Sequence, residues 1–504
     1  MTLALAEKFV TTFRRGIEAE KAALRSDSSA YEVPLEPAAR LAEMSQGLAH
    51  CYSFVVARPS ERLTAGGQCS LREPSGLEVP VTIVQLDGAR VVVQTEVPIS
   101  VSEGSYRLVF VPWFLYDEMA RALAEVDYPE AALRTFGKLP SQRLATTAVE
   151  FDHALNETQR AAVQQALDSQ LTILWGPPGT GKTTTLAELV ANLARCQRRI
   201  LITSTTHAAL NQVLERLLKT PALEPLFAAN QVIQLGLSGQ GCSLEEVVDR
   251  TQHEARVLLQ RSQLRLEQVR GRQTRLLPLL AHAQKAALDA QQLDLFSEPP
   301  GGLSEAELLE IFEKERAHRL AGQSPQMQCL TLGRASRRLD ALALGWLVRA
   351  RSARQRLAQG QQQAVDESRV LLTTLANSYV SPLLKQQQFD AVIVEEAGMA
   401  LLPAIYLAAG RSRSQVILVG DPQQLPAILS SRDPFAQQSL GRNIFAVLGE
   451  RSERIMLDTQ YRMHATIGEL VSGLFYGGGL RHAAGEDTQR IAQLPPFAGH
   501  PLVV

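Results

Sequence analysis

Residues 171–190, LTILWGPPGTGKTTTLAELV, constrain this chain more than any other stretch. Leu171, Ile173 and Leu174 make an apolar run suited to a buried parallel strand. The turn that follows is Gly176, Pro177, Pro178, Gly179, Thr180 and Gly181, and it lets backbone N–H groups close around phosphate oxygens. A helix then opens at Lys182, Thr183 and Thr184 with its positive end toward the same point. Lys182 would reach the β- and γ-phosphates, and the Thr183 hydroxyl would bind Mg²⁺. Strand, cradle and helix in immediate succession predict a nucleoside triphosphate site on an α/β sheet.

The 504 residues leave room for about two to four domains. The 45% apolar content supports large cores, and the low charge bias argues against global disorder. A net charge of −1 hides local asymmetry and does not exclude a nucleic-acid partner. Cys51, Cys69, Cys196, Cys242 and Cys329 lie far apart with no C-x-x-C pair. That spacing argues against a zinc ribbon, an iron–sulfur cluster or a disulfide framework, and a reducing cytoplasm fits it best. Glu7 and Lys8 interrupt the N-terminus before a signal-like run develops, and its apolar residues recur at helical spacing. No segment approaches the roughly 20 apolar residues of a membrane span, so a soluble protein is expected.

Along the chain, 1–145 reads as helices flanking a small antiparallel β-barrel at about 50–112, where short β-rich runs alternate with Gly- and Pro-containing turns. A doubly wound parallel sheet is expected over 146–240 and 367–450, from alternating strand and helix patterns. Within it, Asn156 reads as a helix N-cap with Gln159 three residues on. Between the two parts, 241–366 is rich in Leu, Gln, Ala and Arg and reads as an inserted helical hairpin with arms at roughly 243–292 and 304–364, joined by a turn at 297–302. Its arginines, Arg334, Arg337 and Arg338 among them, make either solvated helix faces or a basic surface for nucleic-acid phosphates.

Two further segments carry chemistry. In AVIVEEAG, Val392, Ile393 and Val394 should form a buried strand delivering two carboxylates at its C-terminal end, where an open α/β sheet binds its ligand. Glu396 would polarise the water attacking the γ-phosphate, and Glu395 would hold Mg²⁺ through a water. In VILVGDPQQLP another strand ends in a turn carrying Asp421 and Gln424. A neutral amide there can sense the γ-phosphate by hydrogen bonding without competing for the metal.

In this order the segments resemble superfamily 1 helicases of the 5′→3′ branch, in the group around the nonsense-mediated-decay helicase and its bacterial relatives. LNETQ resembles the adenine-reading Q motif, which would make Gln159 the base reader. GPPGTGKT matches motif I, TSTTHAALNQ motif Ia, EEAG motif II, GDPQQLP motif III and LDTQYRMH motif IV. By that match Thr206 and Asn211 would contact a single strand, Tyr461 would stack on the base, and Arg462 would reach the γ-phosphate. The resemblance covers about residues 50 to 482. It implies a P-loop NTPase RecA-like fold, ATP and Mg²⁺ as cofactors, single-stranded DNA or RNA as partner, and ATP-driven 5′→3′ movement.

Two departures stand out. Motif II usually opens with Asp, and Glu395 displaces the carboxylate by roughly 1.5 Å, which either weakens metal placement or is absorbed by a bridging water. Family members also continue into a second RecA-like domain with motifs V and VI, whereas 451–504 reads as the start of one. The expectation is half of a motor, with slow hydrolysis on its own. The alternative is a truncated or split nucleotide- and nucleic-acid-binding module, with the second domain supplied by a downstream or separate polypeptide. No paired-carboxylate-plus-lysine nuclease pattern is present.

Overall fold

The computed structural model describes residues 2–26, 32–40, 50–56, 68–87, 90–95, 99, 105–109, 113–145, 148–235, 241–290, 303–309, 311–449 and 453–483. The expected turn at 297–302 and the closing PLVV lie outside them. The chain divides into a larger unit and a smaller one that spans Val248–Gly360.

In the larger unit, α1 (Thr2–Ser26) buries Phe13, Ile17 and Leu24 at helical spacing. Strands β1 (Glu32–Arg40), β2 (His50–Val56), β3 (Gln68–Arg72), β4 (Glu78–Asp87), β5 (Arg90–Thr95) and β6 (Tyr106–Val109) follow. They close antiparallel in the order β1-β2-β5-β4-β3-β6 around Phe54, Leu71, Ile83, Val93 and Tyr106. The barrel therefore starts at Glu32, a correction to the expected start near residue 50. Pro34 and Pro37 disguised its first strand. A proline cannot donate to the ladder, and Pro37 falls in a register shift between Glu36 and Ala39.

Helices α2 (Phe114–Ala122) and α3 (Pro129–Thr135) lead to α4 (Glu157–Asp168), β7 (Leu171–Trp175), α5 (Lys182–Arg195), β8 (Ile200–Ser204), α6 (His207–Leu218), α7 (Glu224–Ala228) and β9 (Val232–Gln234). Next come α8 (Leu244–Thr251), α9 (His253–Asp289), α10 (Glu305–Leu309), α11 (Lys314–Ala321) and α12 (Pro325–Glu367). The chain then runs through β10 (Val370–Thr374), α13 (Leu375–Val380), β11 (Phe389–Val394), α14 (Leu402–Ala409), β12 (Ser412–Gly420), α15 (Pro434–Leu440), α16 (Ile444–Leu448) and β13 (Arg454–Met456).

Among the described residues the main sheet has seven strands, in the order β13-β7-β12-β11-β8-β10-β9, and every pairing is parallel. Leu171, Ile173, Ile202, Leu372, Ile393 and Ile417 are each at most 1% exposed. Strands covered on both faces need such continuous apolar runs. β12 lies between the phosphate-loop strand β7 and the glutamate-bearing β11, so three chemically marked turns leave the sheet at adjacent strand ends. β13 pairs with β7, which corrects the expectation that 451 onward opens a second domain: residues 454–456 complete the first sheet. Beyond it, β14 (Thr459–Gln460), α17 (Ala465–Phe475) and β15 (Arg481–His482) form a separate parallel β–α–β unit.

The smaller unit is built on α9 and α12. Leu259, Leu266, Val269 and Leu276 pack with Leu332, Leu339, Ala350 and Ala353 in two neighbouring clusters. The expected second arm is not continuous, since α10 and α11 precede the long helix that begins at Pro325.

Candidate active site

The loop from Gly176 to Gly181 joins β7 to α5 with two left-handed glycines, Gly179 at φ +76° and Gly181 at φ +79°. Neither has room for a side chain: a Cβ on Gly179 would lie 2.6 Å from the Cβ of Arg462, and one on Gly181 would lie 2.5 Å from Gln159 Nε2. Pro177 accepts hydrogen bonds at its carbonyl from the Thr180 N–H and hydroxyl, which tightens the turn around Pro178. Lys182 Nζ donates to the Gly176 carbonyl at 2.8 Å. Thr183 and Thr184 are half-buried in the first turn of α5.

Gln159 is 4% exposed and closes a capping box with Asn156 at the start of α4. Its Oε1 accepts from the Asn156 N–H, and its Nε2 donates to the Thr180 carbonyl at 3.1 Å. The residue expected to read adenine thus also braces the phosphate loop. Tyr461 donates its backbone N–H to the Gly179 carbonyl at 2.8 Å, and its hydroxyl accepts from Asn156 Nδ2 at 2.9 Å. Tyr461 and Arg462 are both exposed on the loop's flank.

At the end of β11, Glu395 is 6% exposed and its Oε2 accepts from Ser204 Oγ at 3.1 Å. Burial, reinforced by the Glu396 carboxylate, pushes the Glu395 carboxyl up to about 7, against the opposing pull of Ser204 and the Lys182 ammonium. Glu396 is half-buried at φ +53°, a left-handed conformation that costs a non-glycine residue about 1 kcal/mol or more.

At the end of β12, Asp421 is 1% exposed and accepts from Gln424 Nε2 at 3.1 Å. It also accepts from Trp175 Nε1 at 2.9 Å and from the Tyr476 hydroxyl at 2.6 Å. Trp175, Ser204, Asn156 and Tyr476 were not singled out as site residues by sequence reasoning. Strand ends beside the loop flag Trp175 and Ser204, but no local pattern flags Tyr476.

The metal-site chemistry fits a hard cation. Thr183 and Glu395 offer oxygen only, and a buried carboxyl driven toward its neutral form gains from a cation beside it. No cluster of three or more His, Cys, Asp or Glu side chains able to hold a metal occurs among the described residues. Mg²⁺ suits such sparse sites because phosphates and water complete its shell.

The remaining expected contact residues are Thr206, Asn211, Arg334, Arg337 and Arg338. Thr206 caps α6, its Oγ1 accepting from the Ala209 N–H at 3.2 Å. Asn211 Oδ1 accepts from Gln234 Nε2 at 2.9 Å. Arg334, Arg337 and Arg338 are exposed on α12 in the smaller unit.

A parallel sheet with a phosphate loop, paired glutamates and an aspartate–glutamine turn at adjacent strand ends defines a nucleotide-binding α/β protein. A family model described as AAA domain matches residues 154–432, and a second of the same description matches 438–499. The chain belongs to the AAA domain family, in the superfamily 1 helicase group around the nonsense-mediated-decay helicase. It is 24% identical over 392 residues to an uncharacterized ATP-dependent helicase of Methanocaldococcus jannaschii, covering 75% of this chain and 51% of that one. It is 25% identical over 355 residues to the ATP-dependent helicase upf1 of Schizosaccharomyces pombe, covering 68% and 30%. A crystal structure of arterivirus nonstructural protein 10 (helicase) aligns over 88% of this chain and 56% of its own, at 11% identity and a TM-score of 0.32. The chain spans about half or less of the length of these curated relatives.

Proposed function

We propose that this chain is the ATP-hydrolysing core of a superfamily 1 helicase that moves 5′→3′ along single-stranded DNA or RNA. The observation that carries the reading is the meeting of Lys182, Glu395, Glu396 and the Asp421–Gln424 turn at neighbouring ends of β7, β11 and β12. In this reading Lys182 and the N–H groups of Gly176–Thr183 neutralise the phosphates, Glu396 orients and deprotonates the attacking water, and Gln424 and Arg462 contact the γ-phosphate. Thr183 and Glu395 would hold Mg²⁺, which supplies charge neutralisation at the β- and γ-phosphate oxygens when bound. Gln159 and Tyr461 flank the base. Thr206 and Asn211 grip the strand from the end of β8, and Arg334, Arg337 and Arg338 add phosphate contacts. The barrel on its helices serves as an accessory domain of this helicase group. A second lobe, in this polypeptide or another, closes over the same strand ends and completes the stroke. The free thiols of Cys69, Cys196, Cys242 and Cys329 suit a reducing compartment, and no described helix is long and apolar enough to cross a membrane.

The test is nucleotide binding and turnover by the full chain with Mg·ATP, with and without DNA and RNA single strands. Binding is expected to be lost in Lys182→Ala. In Glu396→Gln it should persist while strand-stimulated turnover disappears. A wild-type chain with no affinity for ATP overturns the reading.

A further inference from the structure

The carboxylate of Asp421 is the meeting point of four donors from three parts of the larger unit. Oδ1 accepts from the Gln423 N–H at 3.0 Å and from Trp175 Nε1 at 2.9 Å. Oδ2 accepts from Gln424 Nε2 at 3.1 Å and from the Tyr476 hydroxyl at 2.6 Å. Tyr476 follows the last residue of α17, outside the main sheet, and its ring lies 6.0 Å from that of Trp175. Burial, together with hydrogen bonding to Asp421, pushes the Tyr476 phenol well above its usual range, so it remains a donor at neutral pH.

We propose that Tyr476 is a positioning residue for Gln424, acting through Asp421. The proposal rests on the nucleotide reading above and deepens it. Gln424 Nε2 gives one of its two N–H groups to Asp421 Oδ2, which fixes the heading of the other. Any re-aiming of the amide toward a γ-phosphate breaks its bond to a carboxylate that is almost wholly buried. A buried anion that loses a donor is costly, and a phenol–carboxylate bond is stronger than an amide–carboxylate bond. With Tyr476 in place, Oδ2 stays satisfied when Gln424 leaves. Without the hydroxyl, Gln424 is the one side-chain donor left on Oδ2 among the described residues and is held there. The hydroxyl therefore frees the amide, and because Tyr476 terminates α17, the presence of a γ-phosphate is passed to the β14–α17–β15 unit.

Tyr476→Phe keeps the ring and removes the hydroxyl. Affinities of the full chain for ADP and for a slowly hydrolysed ATP analogue would be measured with Mg²⁺. ADP affinity should match wild type, while preference for the analogue over ADP falls about tenfold. Gln424→Ala should lose the same preference, and Tyr476→Phe/Gln424→Ala should lose no more than Gln424→Ala alone. An unchanged preference in Tyr476→Phe, or losses that multiply in the double variant, overturns the proposal. Independently of any variant, hydrogen exchange of wild-type α17 should slow with the analogue relative to ADP, because Tyr476 then holds Oδ2 alone. Equal exchange with both nucleotides also overturns it. A wild-type chain that binds neither nucleotide instead defeats the underlying reading, a result distinct from each of these.

Discussion

Burial beside Glu396 keeps the Glu395 carboxyl protonated up to about pH 7 in the folded chain, whereas an unperturbed glutamate titrates near 4.5. Between those values the folded state carries a proton that the unfolded state has released. The contribution to stability is full below the unfolded value and is lost as pH rises through the folded one. Across the window it amounts to roughly 3 kcal/mol in the metal-free protein. Glu395→Gln removes the titration, so urea denaturation on either side of the window should show the variant gaining on wild type as pH rises. Parallel pH dependence in the two proteins would contradict the assignment. Lys182, Glu395, Glu396 and Gln424 were legible in the sequence because each follows an apolar strand within a few positions. Tyr476 was not, since its bond to Asp421 spans 55 positions and leaves no local spacing to read; the strand end marks Trp175, but not its bond to Asp421 across 246 positions.

At the scale of elements, periodicity revealed the parallel strands and the long helices, and the capping box at Asn156 was readable from residue type alone. β1 was hidden by its prolines. β13 was hidden by brevity, because three residues carry too little pattern to say which sheet they join. The amphipathic character of α1 announced a packed helix but not its partner. Phe9 and Phe13 enter an aromatic cluster with Phe136 and Tyr406. Glu20, 1% exposed, accepts from the N–H groups of Ser430 and Ser431 at 2.7 and 2.8 Å, in the segment just beyond the Asp421–Gln424 turn. Glu20→Ala strands both donors and should cost about 1–3 kcal/mol in denaturant unfolding. Glu20→Gln, which keeps an acceptor, should recover part of it. A loss within error of zero for the alanine variant would show that water replaces the carboxylate.

At the scale of the whole molecule, the smaller unit places Arg334, Arg337 and Arg338 in solvent, while Leu332 and Leu339 of the same helix are buried. Replacing all three arginines with Ala should weaken single-strand binding. The salt-dependence slope should fall by about 2, at roughly 0.7 for each phosphate no longer neutralised. An unchanged slope would make them an ordinary solvated face.

The passage from the main sheet to the β14–α17–β15 unit has a mechanical meaning of its own. Leu457 donates to the Trp175 carbonyl at 2.9 Å, Thr158 holds Asp458 at 3.0 Å, and Tyr461 donates to the Gly179 carbonyl at 2.8 Å. Four residue steps separate Leu457 from Tyr461, a reach of at most about 14 Å. A crossing so short and so often riveted has no slack in which to absorb rotation. It is a fulcrum, not a slack hinge, and its bearing is the phosphate loop. Any load that turns α17 is felt as tension at Gly179.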